Sequence, residues 1–125
     1  MVGIFFIAIG GATGAVCRYL TANWMASKFG ANFPLGTLVV NIIGCFVIGL
    51  FMAITLGKLS INPYWRLFIA VGFLGGLTTF SSFSYETFML LQGTDFMRAF
   101  YNIALNLFGG FAATWLGFAL ARFIG

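Results

Sequence analysis

The third quarter of the sequence places glycine, hydroxyl and carboxylate groups inside an apolar stretch. Residues 72–86 read GFLGGLTTFSSFSYE, a run too polar to face lipid. Paired glycines weaken a helix and neighbouring hydroxyls compete for backbone hydrogen bonds, so we predict a local break near residues 75–79. A break at membrane depth exposes carbonyls on one half-helix and amides on the next, which can bind a cation and an anion respectively. The alternative is that the hydroxyls bond to their own helix and only bend it.

Two phenylalanines follow this predicted break. Phe80 and Phe83 are three residues apart, so their rings project from one face of a helix. A ring edge carries partial positive charge and can weakly stabilise an anion in an apolar setting. Because the chain contains 17 phenylalanines, contact with lipid is the alternative for either one.

Three asparagines lie in other apolar stretches. Asn41 is central in GTLVVNIIG, and Asn102 and Asn106 are four residues apart, so they share a helix face. An amide in lipid is costly unless its hydrogen bonds are satisfied. With the hydroxyls of the third stretch, these amides could replace part of the hydration shell of an anion. Alternatively they join helices, each bond contributing about 1 kcal/mol.

Two charged residues lie inside apolar stretches and away from the ends of those stretches. Glu86 is the only acid there, and a carboxylate inside a membrane is a candidate for function, including proton coupling. Its alternative is a structural role, with a hydrogen bond to Ser82 four residues earlier. Arg18 could extend to the membrane interface or add positive potential at the mouth of a pathway.

Composition determines which elements can position these residues. Of 125 residues 62% are hydrophobic and 6% charged, whereas a soluble domain has about 25% charged residues. Four apolar stretches, at 4–25, 35–57, 65–91 and 98–123, are long enough to span a membrane. We therefore predict an all-α integral membrane protein whose single domain covers residues 1–125. Six scattered basic residues and no histidine argue against nucleic-acid binding and against acid–base enzyme catalysis.

The charge balance predicts how the chain inserts. An even number of spans places both termini on one side of the membrane. Basic residues are divided equally between that side (Lys58, Arg66, Arg122) and the other (Arg18, Lys28, Arg98). Without a positive-inside bias, we predict insertion in both directions and an antiparallel homodimer in the lipid bilayer. The alternative is a single orientation imposed by the insertion machinery.

Small residues predict where the helices pack. Gly10 and Gly14 have GxxxG spacing in the first stretch. A second series runs along one face of the last stretch: Gly109, Ala113, Gly117 and Ala121. Such residues let helix backbones approach closely.

Three motifs in this chain resemble the signatures of the Fluc (CrcB) fluoride channel family. They are GGATGAVCRY from residue 10, GTLVVNIIG from residue 36 and the run at 72–86. The resemblance covers the whole chain. It implies a dual-topology homodimer, multi-pass in the plasma (inner) membrane of a prokaryote, with two fluoride pathways and a central sodium ion at the dimer interface. Passive export of fluoride from the cytoplasm would then lower its toxicity.

The resemblance also implies roles for individual residues. Phe80 and Phe83 would line the pathways beside Asn41, and the backbone carbonyls of Gly75 and Thr78 would hold the sodium ion. The other residues that the family pattern places along the pathway are Arg18, Thr79, Ser81, Ser82, Glu86, Asn102 and Asn106.

Two other functions are compatible with four spans. A small proton-coupled multidrug exporter could also insert in both directions, but such exporters carry a key glutamate in the first helix, and this first stretch has no acid. A helical assembly factor that transports nothing would use its polar residues only to join helices.

Overall fold

The computed structural model describes residues 1–57 and 60–124, which are helical apart from short connections and one interruption. Four segments are long and apolar enough to cross a membrane: Val2–Phe29, Leu35–Gly57, Pro63–Gln92 and Phe96–Ile124. The predicted all-α fold with four spans is therefore confirmed. The predicted loop residue Lys58 lies outside the described residues.

The third span is assembled from several pieces. Helices α1 (Val2–Phe29) and α2 (Leu35–Gly57) form the first two spans, and α6 (Phe96–Ile124) forms the fourth. Between them lie α3 (Pro63–Arg66), a π-helical segment (Leu67–Leu74), α4 (Gly75–Leu77) and α5 (Phe80–Gln92). A π-helix is rare and occurs often near functional sites.

Backbone geometry changes between α4 and α5. Thr78 has φ −86° and ψ 156°, and Thr79 has φ −154° and ψ 122°, so both residues are extended. Helical geometry resumes at Phe80, where the Thr79 hydroxyl accepts a hydrogen bond from the Ser82 amide at 3.1 Å and caps the new helix. The hydroxyl of Thr78 bonds back to the Leu74 carbonyl at 2.9 Å.

Glycines bring α1 against the first half of the third span. A Cβ on Gly10 would collide with the Phe68 carbonyl, and one on Gly14 would collide with the Phe73 carbonyl. The two backbones are therefore in direct contact at the predicted GxxxG motif.

A second glycine seam joins α2 to α6. A Cβ on Gly49 would collide with the carbonyl of Thr114, and one on Gly117 with the carbonyl of Phe46. Of the predicted series on α6, Ala113, Gly117 and Ala121 are buried, whereas Gly109 is only partly buried.

Candidate functional site

Asn41 on α2 binds the backbone of the extended segment at two points. Its Oδ1 accepts a hydrogen bond from the Thr79 amide at 2.9 Å, and its Nδ2 donates to the Thr79 carbonyl at 3.2 Å. In an uninterrupted helix the Thr79 amide would instead bond to the carbonyl of Gly75. The side chain of Asn41 thus satisfies the Thr79 amide, which the interruption leaves without its helical partner.

A chain of hydrogen bonds continues from Asn41 to α6 and α5. Asn41 Nδ2 also donates to Asn106 Oδ1 at 2.9 Å, and Asn106 Nδ2 donates to Asn102 Oδ1 at 3.0 Å. Asn102 Nδ2 donates to the Thr87 hydroxyl at 2.8 Å, which in turn donates to the Phe83 carbonyl at 2.8 Å. The structure therefore brings the three asparagines into one network. Asn102 is 0% exposed and binds Thr87. In the single chain it therefore joins α6 to α5.

A cavity of about 340 Å³ lies beside the interruption. It is lined by Asn41, Gly44, Cys45, Ile48, Ala70, Leu74, Gly75, Thr78, Thr79, Phe80, Phe83, Asn106 and Leu107. Gly75, Thr78 and much of the candidate anion pathway therefore line one space. Most of its wall is apolar, so its few polar groups would determine where an ion binds.

The rings of Phe80 and Phe83 form an edge-to-face pair. Their centroids are 5.4 Å apart, and their planes meet at 64°. Phe80 is 73% exposed on the single chain and Phe83 is 6% exposed. Both rings also line a second depression, which follows α5 past Ser84 and Thr87. The aromatic pair therefore borders both the cavity and this depression.

Hydroxyl groups cluster at the start of α5. The Thr79 and Ser81 hydroxyls are 3.1 Å apart and share a hydrogen bond. Ser81 is exposed and Ser82 is partly buried. These hydroxyls lie within one turn of the aromatic pair.

Glu86 is held from α2 rather than from its own helix. The Thr37 hydroxyl donates to Glu86 Oε2 at 3.1 Å, so the partner suggested by sequence spacing, Ser82, is replaced by Thr37. Both residues line a separate depression of about 410 Å³, which reaches the connection between α1 and α2. The carboxylate thus lies nearer the end of the span than the aromatic pair does.

Arg18 contacts the end of the first half of the third span. Its Nε donates to the Gly76 carbonyl at 3.1 Å. A cation at the C-terminal end of a helix offsets the partial negative charge of the free carbonyls. This contact differs from both uses expected of Arg18, since the side chain turns into the protein. Tyr101 lies on the exposed surface of α6, where its ring meets Phe100 edge-on.

Gly75 and Thr78 suit the sodium ion that the sequence resemblance implies. Gly75 has lost its usual helical donor to Asn41, and both residues line the cavity. Carbonyl oxygens at the C-terminal end of a half-helix are ligands that a hard cation prefers. The described residues contain no cluster of three or more acidic, histidine or cysteine side chains for a metal.

Three polar partners were not anticipated from the sequence. Thr37 binds Glu86, Thr87 ends the asparagine network and the Gly76 carbonyl binds Arg18. Thr37 lies one helical turn before Asn41, so helical spacing could have indicated it. The Gly76 contact has no signal in the sequence, because the hydrogen-bond acceptor is a backbone oxygen.

Known proteins match this chain over most of its length. The family described as "CrcB-like protein, Camphor Resistance (CrcB)" matches residues 5–118. A protein of Sulfurihydrogenibium sp. is 48% identical over 118 residues, covering 94% of this chain and 95% of its own length. One from Solibacter usitatus is 48% identical over 116 residues, covering 93% and 95%. One from Shewanella woodyi is 51% identical over 108 residues, covering 86% of each chain. All three bear the name "Fluoride-specific ion channel FluC".

Proposed function

Since this chain belongs to the CrcB-like family, we propose that it is a fluoride-selective channel through which fluoride leaves the cytoplasm passively. The observation that carries this proposal is the 48% identity, over 94% of the chain, to a protein named as a fluoride-specific ion channel. Hydrogen fluoride enters a cell as a neutral weak acid and dissociates inside. The membrane potential then favours exit of the trapped anion, so a passive channel in the plasma membrane would lower fluoride toxicity.

The cavity chemistry supports conduction of a small, strongly hydrated anion. Such an ion needs several donors that each bind weakly enough for it to leave. Candidate donors are the Asn41 amide, the hydroxyls of Thr79, Ser81 and Ser82, and the ring edges of Phe80 and Phe83. A wholly apolar bore would impose a large desolvation cost.

We place the remaining polar residues around this pathway. Asn106 lines the cavity, and Asn102 supports it from behind. Glu86 borders the depression near the α1–α2 connection, which would serve as one mouth. Arg18 lies outside the pathway and binds the Gly76 carbonyl next to the interruption.

A second copy would complete the pathway. Phe80 is largely exposed on one chain although it borders the cavity, so a partner could enclose it. The equal division of basic residues supports an antiparallel homodimer with two such pathways. Carbonyls of Gly75 and Thr78 from both copies would hold one sodium ion on the two-fold axis, where it would supply positive charge and bind the copies together.

Release of fluoride from liposomes tests this function directly. Purified protein is reconstituted into vesicles loaded with potassium fluoride. A potassium ionophore is then added, so that potassium efflux balances the negative charge that leaves with fluoride, and release is followed with a fluoride electrode. Matched vesicles loaded with chloride are followed with a chloride electrode. We expect rapid fluoride release and little chloride release. Release no faster than from protein-free vesicles would favour a non-transporting assembly factor, and strict dependence on a proton gradient would favour an exporter.

A further inference from the structure

Every hydrogen-bonding group of the Asn41 side chain already has a protein partner. A side-chain amide has two N–H donors and one oxygen acceptor. The donors are directed to the Thr79 carbonyl at 3.2 Å and to Asn106 Oδ1 at 2.9 Å, and the oxygen accepts from the Thr79 amide at 2.9 Å. An anion could reach Asn41 only by displacing one of these partners. The contacts therefore indicate a structural task in addition to any contact with a permeating ion.

The bond to the Thr79 amide determines where the Thr78 carbonyl points. The Thr78 carbonyl and the Thr79 amide belong to one planar peptide unit, in which C=O and N–H point in opposite directions. The Asn41 oxygen holds the N–H end of this unit. The Thr78 carbonyl is thereby directed away from Asn41.

The same bond frees a second carbonyl. By binding the Thr79 amide, Asn41 removes the donor that a continuous helix would provide to the Gly75 carbonyl. The neighbouring Gly76 carbonyl is instead bound by Arg18 at 3.1 Å. Of two adjacent carbonyls at this helix end, one therefore has a charged donor, while the other belongs to a residue that lines the cavity.

We propose that Asn41 is a positioning residue for the cation site, because its contact with the Thr79 amide presents the carbonyls of both Gly75 and Thr78 to one ion. The inference rests on the proposed function only for the identity of that ion as sodium. Asn41 does not itself bind the cation. It maintains the extended backbone without which Gly75 would be bonded within the helix.

Sodium-dependent stability tests this role without measuring fluoride. The thermal unfolding midpoint of purified dimer in detergent is followed as sodium replaces potassium at constant ionic strength. We expect sodium to raise the wild-type midpoint. We expect Asn41→Leu to require about tenfold more sodium for the same rise, since at least one hydrogen bond that orients the ligands is lost. Asn41→Asp keeps an oxygen for the Thr79 amide, so it should retain the sodium response while losing both N–H donors.

Thr114→Val is the matched control. The Thr114 hydroxyl also bridges two helices, donating to the Cys45 carbonyl at 3.1 Å, but outside the cation site. This variant should lower the midpoint without changing its dependence on sodium. If the leucine variant does not fold, Asn41→Ser, whose shorter side chain cannot span the same distance, takes its place.

Retention of the wild-type sodium response in Asn41→Leu or Asn41→Ser would overturn the positioning role, even if fluoride release were abolished. A wild-type protein with no sodium response would also overturn it. Neither result would disprove fluoride conduction, which the liposome assay measures separately. Conversely, a wild-type protein that responds to sodium but releases no fluoride would contradict the proposed function, and a weaker sodium response in Asn41→Leu would still support the positioning role.

Discussion

Arg18 donates a hydrogen bond from its Nε to the carbonyl oxygen of Gly76, 58 residues later in the chain and 3.1 Å away. The bond joins α1 to the end of the first half of the third span, where carbonyl groups have lost their helical donors. It also places a positive charge at the negative end of a half-helix. This contact gives a basic residue well inside an apolar span a polar partner.

We expect Arg18→Met to destabilise the protein by about 1.5–3 kcal/mol, the usual contribution of a hydrogen bond from a charged donor. Methionine preserves much of the apolar stem, so the loss would report on the guanidinium group. The measurement is the unfolding free energy in detergent. Arg18→Lys is the control: it keeps a cation near the helix end and should recover part of the loss. Equal stability of wild type and Arg18→Met would show that the Gly76 contact contributes nothing.

Phe80→Ile and Phe83→Ile should each reduce fluoride release by about tenfold, the effect of losing roughly 1.4 kcal/mol of stabilisation at the barrier. Isoleucine keeps apolar volume but removes the ring edge. Phe80 is 73% exposed on the single chain, so its replacement should leave the fold of the chain intact, whereas replacement of the buried Phe83 should also lower stability. Release from liposomes and the unfolding free energy in detergent measure the two effects.

Phe5 offers a matched control for the ring substitutions. It is also largely exposed, but it lies near the start of α1 and does not line the cavity. Phe5→Ile should leave fluoride release unchanged. Unchanged release in both Phe80→Ile and Phe83→Ile would remove the aromatic edges from the mechanism.

Glu86→Gln should retain fluoride release to within about threefold, a change of less than 1 kcal/mol at the barrier. The amide oxygen of glutamine can still accept the hydrogen bond that Thr37 donates to Glu86 Oε2 at 3.1 Å. Release should also proceed without a proton gradient. Loss of release in this variant, with recovery only under an imposed proton gradient, would show that the carboxylate carries protons and would support the exporter.

Several parts of this architecture followed from the sequence because they depend on local pattern. Apolar length predicted the four spans, and the GxxxG spacing predicted a close helix contact at Gly10 and Gly14, which the structure places against the third span. Spacing of four residues predicted that Asn102 and Asn106 share a face, and they are hydrogen-bonded at 3.0 Å. The antiparallel dimer and its ions stay predictions.

Other parts depend on contacts between distant segments and could not be predicted. The π-helical geometry of Leu67–Leu74 has no distinguishing composition, since its residues would also suit an ordinary apolar helix. The partners of Arg18 and Glu86 come from other spans, and local spacing pointed elsewhere. Spacing within one helix orders residues on a face, but only packing decides which other helix that face meets.

The bond between Asn102 and Thr87 predicts non-additive substitutions. Asn102→Leu should cost about 1–3 kcal/mol, because the buried Thr87 hydroxyl loses its donor and Asn106 Nδ2 keeps only the backbone carbonyl of residue 102, at 2.8 Å. Thr87→Val alone leaves one Asn102 donor unpaired and should cost about 1–2 kcal/mol. The double variant should be less destabilised than the sum of the two, since both ends of one hydrogen bond are removed together. Unfolding free energies of the four proteins in one detergent give the coupling, and strict additivity would contradict the hydrogen bond.

Gly14→Ala should disrupt the contact between α1 and the third span, whereas Gly11→Ala should not. A Cβ at Gly14 would collide with the Phe73 carbonyl, a backbone atom that cannot rotate away, but a Cβ at Gly11 would lie 3.8 Å from the Gly72 carbonyl, an ordinary contact. We therefore expect Gly14→Ala to lower the unfolding free energy by about 1–3 kcal/mol. Gly11→Ala should be neutral or stabilising by up to about 1 kcal/mol, because alanine favours the helix. Since the first half of the third span also carries Gly75, Gly14→Ala should reduce fluoride release more than Gly11→Ala does. Equal stability of the two variants would show that α1 does not approach the third span this closely.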